Sequence, residues 1–155
     1  MEIISFELSS NFGFFNARDN KEVNDTFLSI HPPAVLGLLG NIIGLKGFKD
    51  FNGKLEYLEK LKDIKMSIEI LNKNIETKEV EFSDTNRILF KSTALFRETC
   101  LIKPRYRIRL ILNHKNETHL KLKEYLLGYK SVFTQYLGKT QFITSPKKVM
   151  IESLT

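Results

Sequence analysis

The chain's 155 residues are enough for one domain, which at that length buries roughly 70% of its unfolded surface around a single core. With 42% hydrophobic and 27% charged residues, 12 Phe, 5 Tyr and no Trp, the composition is that of a folded chain and excludes wholesale disorder. Pro32 to Leu45, the longest nearly apolar run, is 14 residues with four Gly or Asn interruptions, too short to cross about 30 Å of hydrocarbon.

Glu2 and Glu7 stand where a secretory signal needs positive charge and then an apolar run, and the single Cys100 allows no intramolecular disulfide. A cytoplasmic protein without a membrane partner is therefore expected. The net charge of +6 is unevenly distributed. Residues 1–90 carry 11 Lys/Arg against 14 Asp/Glu, residues 91–130 carry 10 against 3, and residues 131–155 carry 3 against 1. A basic second half points to a polyanionic partner.

Residues 2–8 alternate and are followed by the turn cluster Ser9-Ser10-Asn11, which predicts a first strand. From Asn11 to His31 no period is evident, but Phe12, Phe14, Phe15 and Phe27 predict a segment pinned to the body by aromatics. His31-Pro32-Pro33 then starts a helix over Ala34–Leu45, because proline has a helical φ and its missing N–H costs nothing in the first turn. Gly37, Gly40 and Gly44 fall on one face of it, where they permit close packing; the spacing matches no phosphate-binding loop.

Asn52-Gly53 marks a turn, and Leu55, Leu58 and Leu61 predict a short helix. A second strand is expected over residues 63–71, and residues 72–100 read as an inserted hairpin turning at Ser83–Asn86. In Arg105–Leu112 the two-residue repeat sets Arg105, Arg107 and Arg109 on one face and Tyr106, Ile108, Leu110 and Leu112 on the other, so a basic face backs a core face. A helix over Glu117–Leu127 with Gly128 at its C-cap follows, then strands at 132–137 and 141–144 around Gly138-Lys139.

His114 and His119 are five apart, off the spacing that aligns two imidazoles on a helix, and no Cys pair accompanies them, so no metal site or cofactor is expected. Cys100 reads as a buried thiol. The succession of elements predicts a single α+β domain over residues 1–155: a ferredoxin-like fold, like that of RNA-recognition modules, with a hairpin inserted between the second and third strands. Such a sheet leaves one face available for single-stranded RNA.

Three stretches resemble the CRISPR-associated protein family five, the RAMP-type subunit of type I Cascade surveillance complexes, and look closest to subtype I-B. They are Ser10–Phe15, Ile30–Gly44 with its Pro-Pro/Gly helix, and Val132–Phe142 with its Tyr-Leu-Gly-Lys turn, joined by Lys103–Ile108. The resemblance implies a scaffold in antiviral defence that grips the 5′ handle of the CRISPR RNA (crRNA) and joins the large subunit to the backbone subunit, with no small-molecule substrate. It also implies that residues 72–100 are the family's thumb. The implied RNA contacts are Arg105, Arg107 and Arg109, Arg87 and Lys91 on the thumb, Lys139, and the rings of Phe14 and Phe15, with no catalytic residue. Relatives of subtype C cut precursor RNA with a Tyr, a Lys and a His. The corresponding alternative, a metal-independent endoribonuclease, would draw on His31, His114 or His119 with Lys115 or Lys121 and a Tyr, but no spacing singles out a triad. Family members usually continue beyond the Tyr-Leu-Gly-Lys turn, so a short or split form with a bare edge strand is expected.

Overall fold

Tyr106, Ile108, Leu110 and Leu112 are all buried, while the arginines between them stand on the opposite face. The strand period read from the sequence is thus realised residue by residue. The computed structural model describes residues 1–17, 25–84 and 94–153. Its elements are β1 (Glu2–Ser9), β2 (Phe12–Gly13), α1 (Pro32–Ile43), α2 (Glu56–Leu61), β3 (Lys65–Ile70), β4 (Thr77–Asp84), β5 (Ala94–Ile102), β6 (Arg105–Leu112), α3 (Glu117–Leu127), β7 (Gln135–Tyr136), β8 (Ile143–Thr144) and β9 (Lys147–Glu152). The chain is mixed α and β with antiparallel sheets, compatible with a RAMP-like fold.

The main sheet has the order β3-β6-β1-β9 with every neighbouring pair antiparallel. Ile4, Phe6 and Leu8 of β1 and the apolar side of β6 form one core with Val35, Leu38, Leu39, Ile42 and Ile43 of α1 and Leu122 and Leu126 of α3. Each such side chain, fully buried, contributes about 1.5–3 kcal/mol. The helices therefore lie on the face away from the arginines. A second sheet, β2-β5-β4, carries the β4–β5 pair that follows β3, and β7 pairs with β8.

Helix α1 begins two residues before the expected Ala34, because Pro32 and Pro33 occupy its first positions and His31 Nδ1 accepts the Ala34 N–H at 3.2 Å. It stops at Gly44, whose φ of +80 is left-handed. Gly40 is required by packing: a Cβ there would sit 2.7 Å from Tyr57 Cβ. At the end of α3 the left-handed residue is Tyr129 (φ +51), not Gly128, which caps the helix at φ −85.

Three expectations are corrected. Strand β4 continues through Ser83 and Asp84, residues read as the tip of a turn; Asp84 pairs with Ala94. The segments around Gly138-Lys139 supply only two-residue strands, β7 and β8. The edge of β1, expected to be bare, is covered by β9 through Ile3↔Glu152, Ile4↔Ile151 and Ser5↔Met150. That strand escaped the sequence reading because none of its residues is fully buried, so it carries no strong alternation.

Candidate nucleic-acid interface

Arg107 and Arg109 stand on the sheet face as expected, but they do not make it basic. Arg107 Nη2 donates to Glu7 Oε1 at 2.8 Å, and its Nη1 lies 3.8 Å from Glu69 Oε2. Arg109 donates to Glu69 at 2.9 Å and to Glu152 at 3.2 Å, and Lys148 lies 3.5 Å from Glu7. Antiparallel register produces this by placing Glu7 and Glu69 opposite Arg107 on either side. The hydrogen bond that Arg107 donates holds the Glu7 carboxyl below its ordinary range, and the one Arg109 donates to Glu69 raises the guanidinium's pKa. The result is a balanced ladder of three carboxylates and three cations across four strands, and the expected open basic face is corrected accordingly.

Arg105 escapes the ladder. At the start of β6 it faces Ser9, where β1 ends, and lines a groove of about 680 Å³ with Lys103, Lys147, Ser9, Ser10, Asn11, Phe12, Gln141, Phe142 and Ile143. Among the described residues none of these three cations forms an ion pair, and no carboxylate lines the groove.

The groove is built by turns rather than by a strand face. Asn72 clamps one wall: its Nδ2 donates to Lys103 O at 2.9 Å and its Oδ1 accepts the Arg105 N–H at 2.8 Å. Lys103 is held at φ +44 between β5 and β6, with its N–H bonded to Asn11 O at 2.8 Å, a conformation a non-glycine residue adopts only when its surroundings impose it. The other wall is fixed by Thr144 Oγ1, which donates to Ser9 O at 2.7 Å. Phe12, half-buried, packs 5.8 Å from Phe142 at the floor. Ammonium and guanidinium groups around a partly open aromatic are suited to a phosphate backbone with splayed bases.

The remaining expected contacts are distributed elsewhere. Phe14 and Phe15 are 6% and 3% exposed; they are core rings and offer no face to a base in this structure. Lys139 is ion-paired with the buried Glu98 and lies 5.2 Å above the Phe14 ring. It fastens the Tyr-Leu-Gly-Lys turn to the body. Arg87 and Lys91 lie outside the described residues.

Of the candidate acid/base groups, Lys121 Nζ lies 5.6 Å from the Tyr125 ring and His114 Nε2 lies 3.4 Å from the Met1 amino group. His31 Nδ1 is occupied in capping α1, while His119 is buried with Nδ1 accepting the Asn113 N–H at 3.0 Å, and burial pushes its pKa down. The Cys100 thiol, fully buried, is raised to about 11 by desolvation. Among the described residues no group of three His, Cys, Asp or Glu is placed to hold a metal ion, and no helix is long and apolar enough to cross a membrane.

Sequence reasoning missed Lys103 and Lys147 as groove cations and Asn72 as the clamp on Lys103 and Arg105. Lys103 was visible only as part of a motif, and nothing in the sequence connects Asn72 to residues more than thirty positions away.

The fold is one shared with CRISPR-associated proteins. No family model matches the chain, and no curated protein matches it by sequence. Among solved structures it is similar to a Cas protein (TM-score 0.63, 16% identity, 99% of this chain and 67% of that one). It is also similar to a chain of a CRISPR RNA-guided surveillance complex (TM-score 0.65, 12% identity, 100% and 64%). A third likeness is to a chain of the type III-B Cmr-beta complex bound to cognate target RNA (TM-score 0.54, 11% identity, 100% and 64%). The chain thus spans about two thirds of the length of these proteins.

Proposed function

We propose that this chain is a single RAMP domain of the CRISPR-associated protein family five, closest to subtype I-B, and serves as a non-catalytic RNA-binding subunit of a surveillance complex in the cytoplasm. In this reading β1-α1-β3 and β6-α3-β9 are the two halves of a ferredoxin-like fold, and the β4–β5 hairpin inserted between them is the thumb. The subunit grips the 5′ handle of crRNA and joins the large subunit to the backbone subunit.

The observation that carries the reading is the groove: Lys103, Arg105 and Lys147 converge on it with no carboxylate among its walls. The likeness to chains of RNA-guided complexes supports the choice of partner. Arg107 and Arg109 serve the sheet, and Arg105 the RNA.

The test is fluorescence anisotropy with processed RNA bearing the 5′ handle and with handle-less RNA of equal length, across a salt series. Handle-dependent binding is expected, with Arg105→Ala and Lys147→Ala each weakening it and making the slope of log K against log salt shallower by about one. Metal-independent cutting of repeat RNA in the same reactions would replace the scaffold by an endoribonuclease. No binding at any salt, with the backbone subunit present, would leave a protein-interaction domain instead.

A further inference from the structure

The connection between α1 and α2 belongs neither to the charged sheet face nor to the groove. Lys46-Gly47-Phe48-Lys49-Asp50-Phe51-Asn52-Gly53-Lys54 places two phenylalanines and three lysines in nine residues. It is an ordered turn. The Asp50 N–H donates to Lys54 O at 2.9 Å and the Gly53 N–H to Asp50 O at 3.0 Å, with Gly53 at φ +75, and Lys49 bridges Leu55. The loop's only carboxylate is turned onto its own backbone: Asp50 Oδ1 accepts the N–H groups of Asn52 and Lys54 at 2.8 and 2.9 Å. Glu56 behind it accepts the Lys46 N–H at 2.9 Å and pairs with Lys60.

The two rings line one open hollow with the three lysines, Asp50 and Glu56. Phe48 is 68% exposed and Phe51 fully exposed, and neither has an aromatic partner among the described residues. Lys46, Lys49 and Lys54 form no ion pair among them either. Holding two large apolar rings in water on a fixed turn is unfavourable for the isolated fold and marks an interaction site. The three lysines interleaved with the rings outnumber the two carboxylates of the hollow, Asp50 and Glu56, each of which already accepts backbone N–H groups; that balance suits a polyanion with flat π-faces, and an apolar protein surface would have to desolvate those ammonium groups unpaired.

We infer that this loop is a second RNA contact, a sequence-tolerant stacking platform on the helical layer, where Phe48 and Phe51 receive bases of a single strand and Lys46, Lys49 and Lys54 its phosphates. The choice of RNA over DNA rests on the groove reading; the stacking does not.

The test uses the whole chain with a labelled polyuridine strand of about twelve nucleotides, within the footprint of such platforms, in anisotropy titrations over a salt series. Phe51→Ala is expected to weaken binding about tenfold with the salt slope unchanged, since the ring carries no charge, whereas Lys49→Ala makes the slope shallower by about one. The Phe51 ring touches nothing it stabilises, so the thermal midpoint should not move. Unchanged polyuridine affinity in the Phe48→Ala/Phe51→Ala double variant would overturn the inference, whether or not that variant loses a protein partner. So would a preference for thymidine DNA of equal length. The two RNA readings fail separately: handle binding that needs Arg105 and ignores Phe51 leaves only the groove, and Phe51-dependent binding without handle preference leaves only the loop.

Discussion

Glu7 is the most buried member of the charged ladder, meeting both Arg107 and Lys148 with its side chain only 14% exposed. Its folded pKa lies below the ordinary 4.5, so the stability it contributes is present above that value and is lost as pH falls through the lower folded one. Urea unfolding should accordingly show the midpoint falling on acidification below about pH 4.5, with a smaller fall in Glu7→Gln. Arg107→Ala removes the pair and leaves Glu7 with Lys148 alone; a loss of about 1 kcal/mol is expected, at the upper end for a partly exposed pair. In RNA titrations Arg107→Ala should keep the wild-type salt slope that Arg105→Ala makes shallower. His119 adds to acid sensitivity, since burial depresses an imidazole from 6.5 and its contribution is lost as pH falls below that value.

At the scale of elements, glycines and an edge strand decide how the pieces fit. Gly138 has a φ of +85, and a Cβ on it would lie 1.6 Å from the carbonyl oxygen of Phe14. Gly138→Ala cannot be absorbed by a side-chain movement, and a thermal shift experiment should show a loss of about 3 kcal/mol or more. Gly40→Ala would set its Cβ 2.7 Å from Tyr57 Cβ, which moves only with the α2 backbone, and with α1 keeping its helical conformation a loss of about 1–3 kcal/mol is expected. Strand β9 protects the hydrogen-bonding edge of β1. Deleting residues 147–155 would bare that edge, and light scattering should show concentration-dependent association that the whole chain does not share.

For the molecule as a whole, two layers separate two kinds of surface. The sheet face carries a neutralised ladder, while Lys103, Arg105 and Lys147 in the groove and Lys46, Lys49 and Lys54 on the α1–α2 loop form no ion pair among the described residues. On the groove reading, a net charge of +6 therefore says less about the RNA partner than which cations the strand register leaves without a carboxylate. If the groove reading holds, replacing Arg105 and Lys147 together should cost more handle affinity than replacing Arg107 and Arg109 together, although both changes remove two positive charges.

The sequence by itself determined what depends on neighbours along the chain. Period two in Arg105–Leu112 assigned each residue to its face, His31-Pro32-Pro33 marked the start of α1, the run Glu117–Leu127 with Gly128 after it delimited α3, and Cys100 was legible as a buried thiol. Only the tertiary structure decided the rest, because pairing between strands distant in sequence is a non-local choice. Register brought Glu7 and Glu69 to Arg107, turned Phe14 and Phe15 inward, gave Lys139 a buried partner and laid a weakly patterned β9 along β1. An arginine row is the same string of letters whether its partners are phosphates or glutamates, and which of them it meets depends on the strands packed beside it.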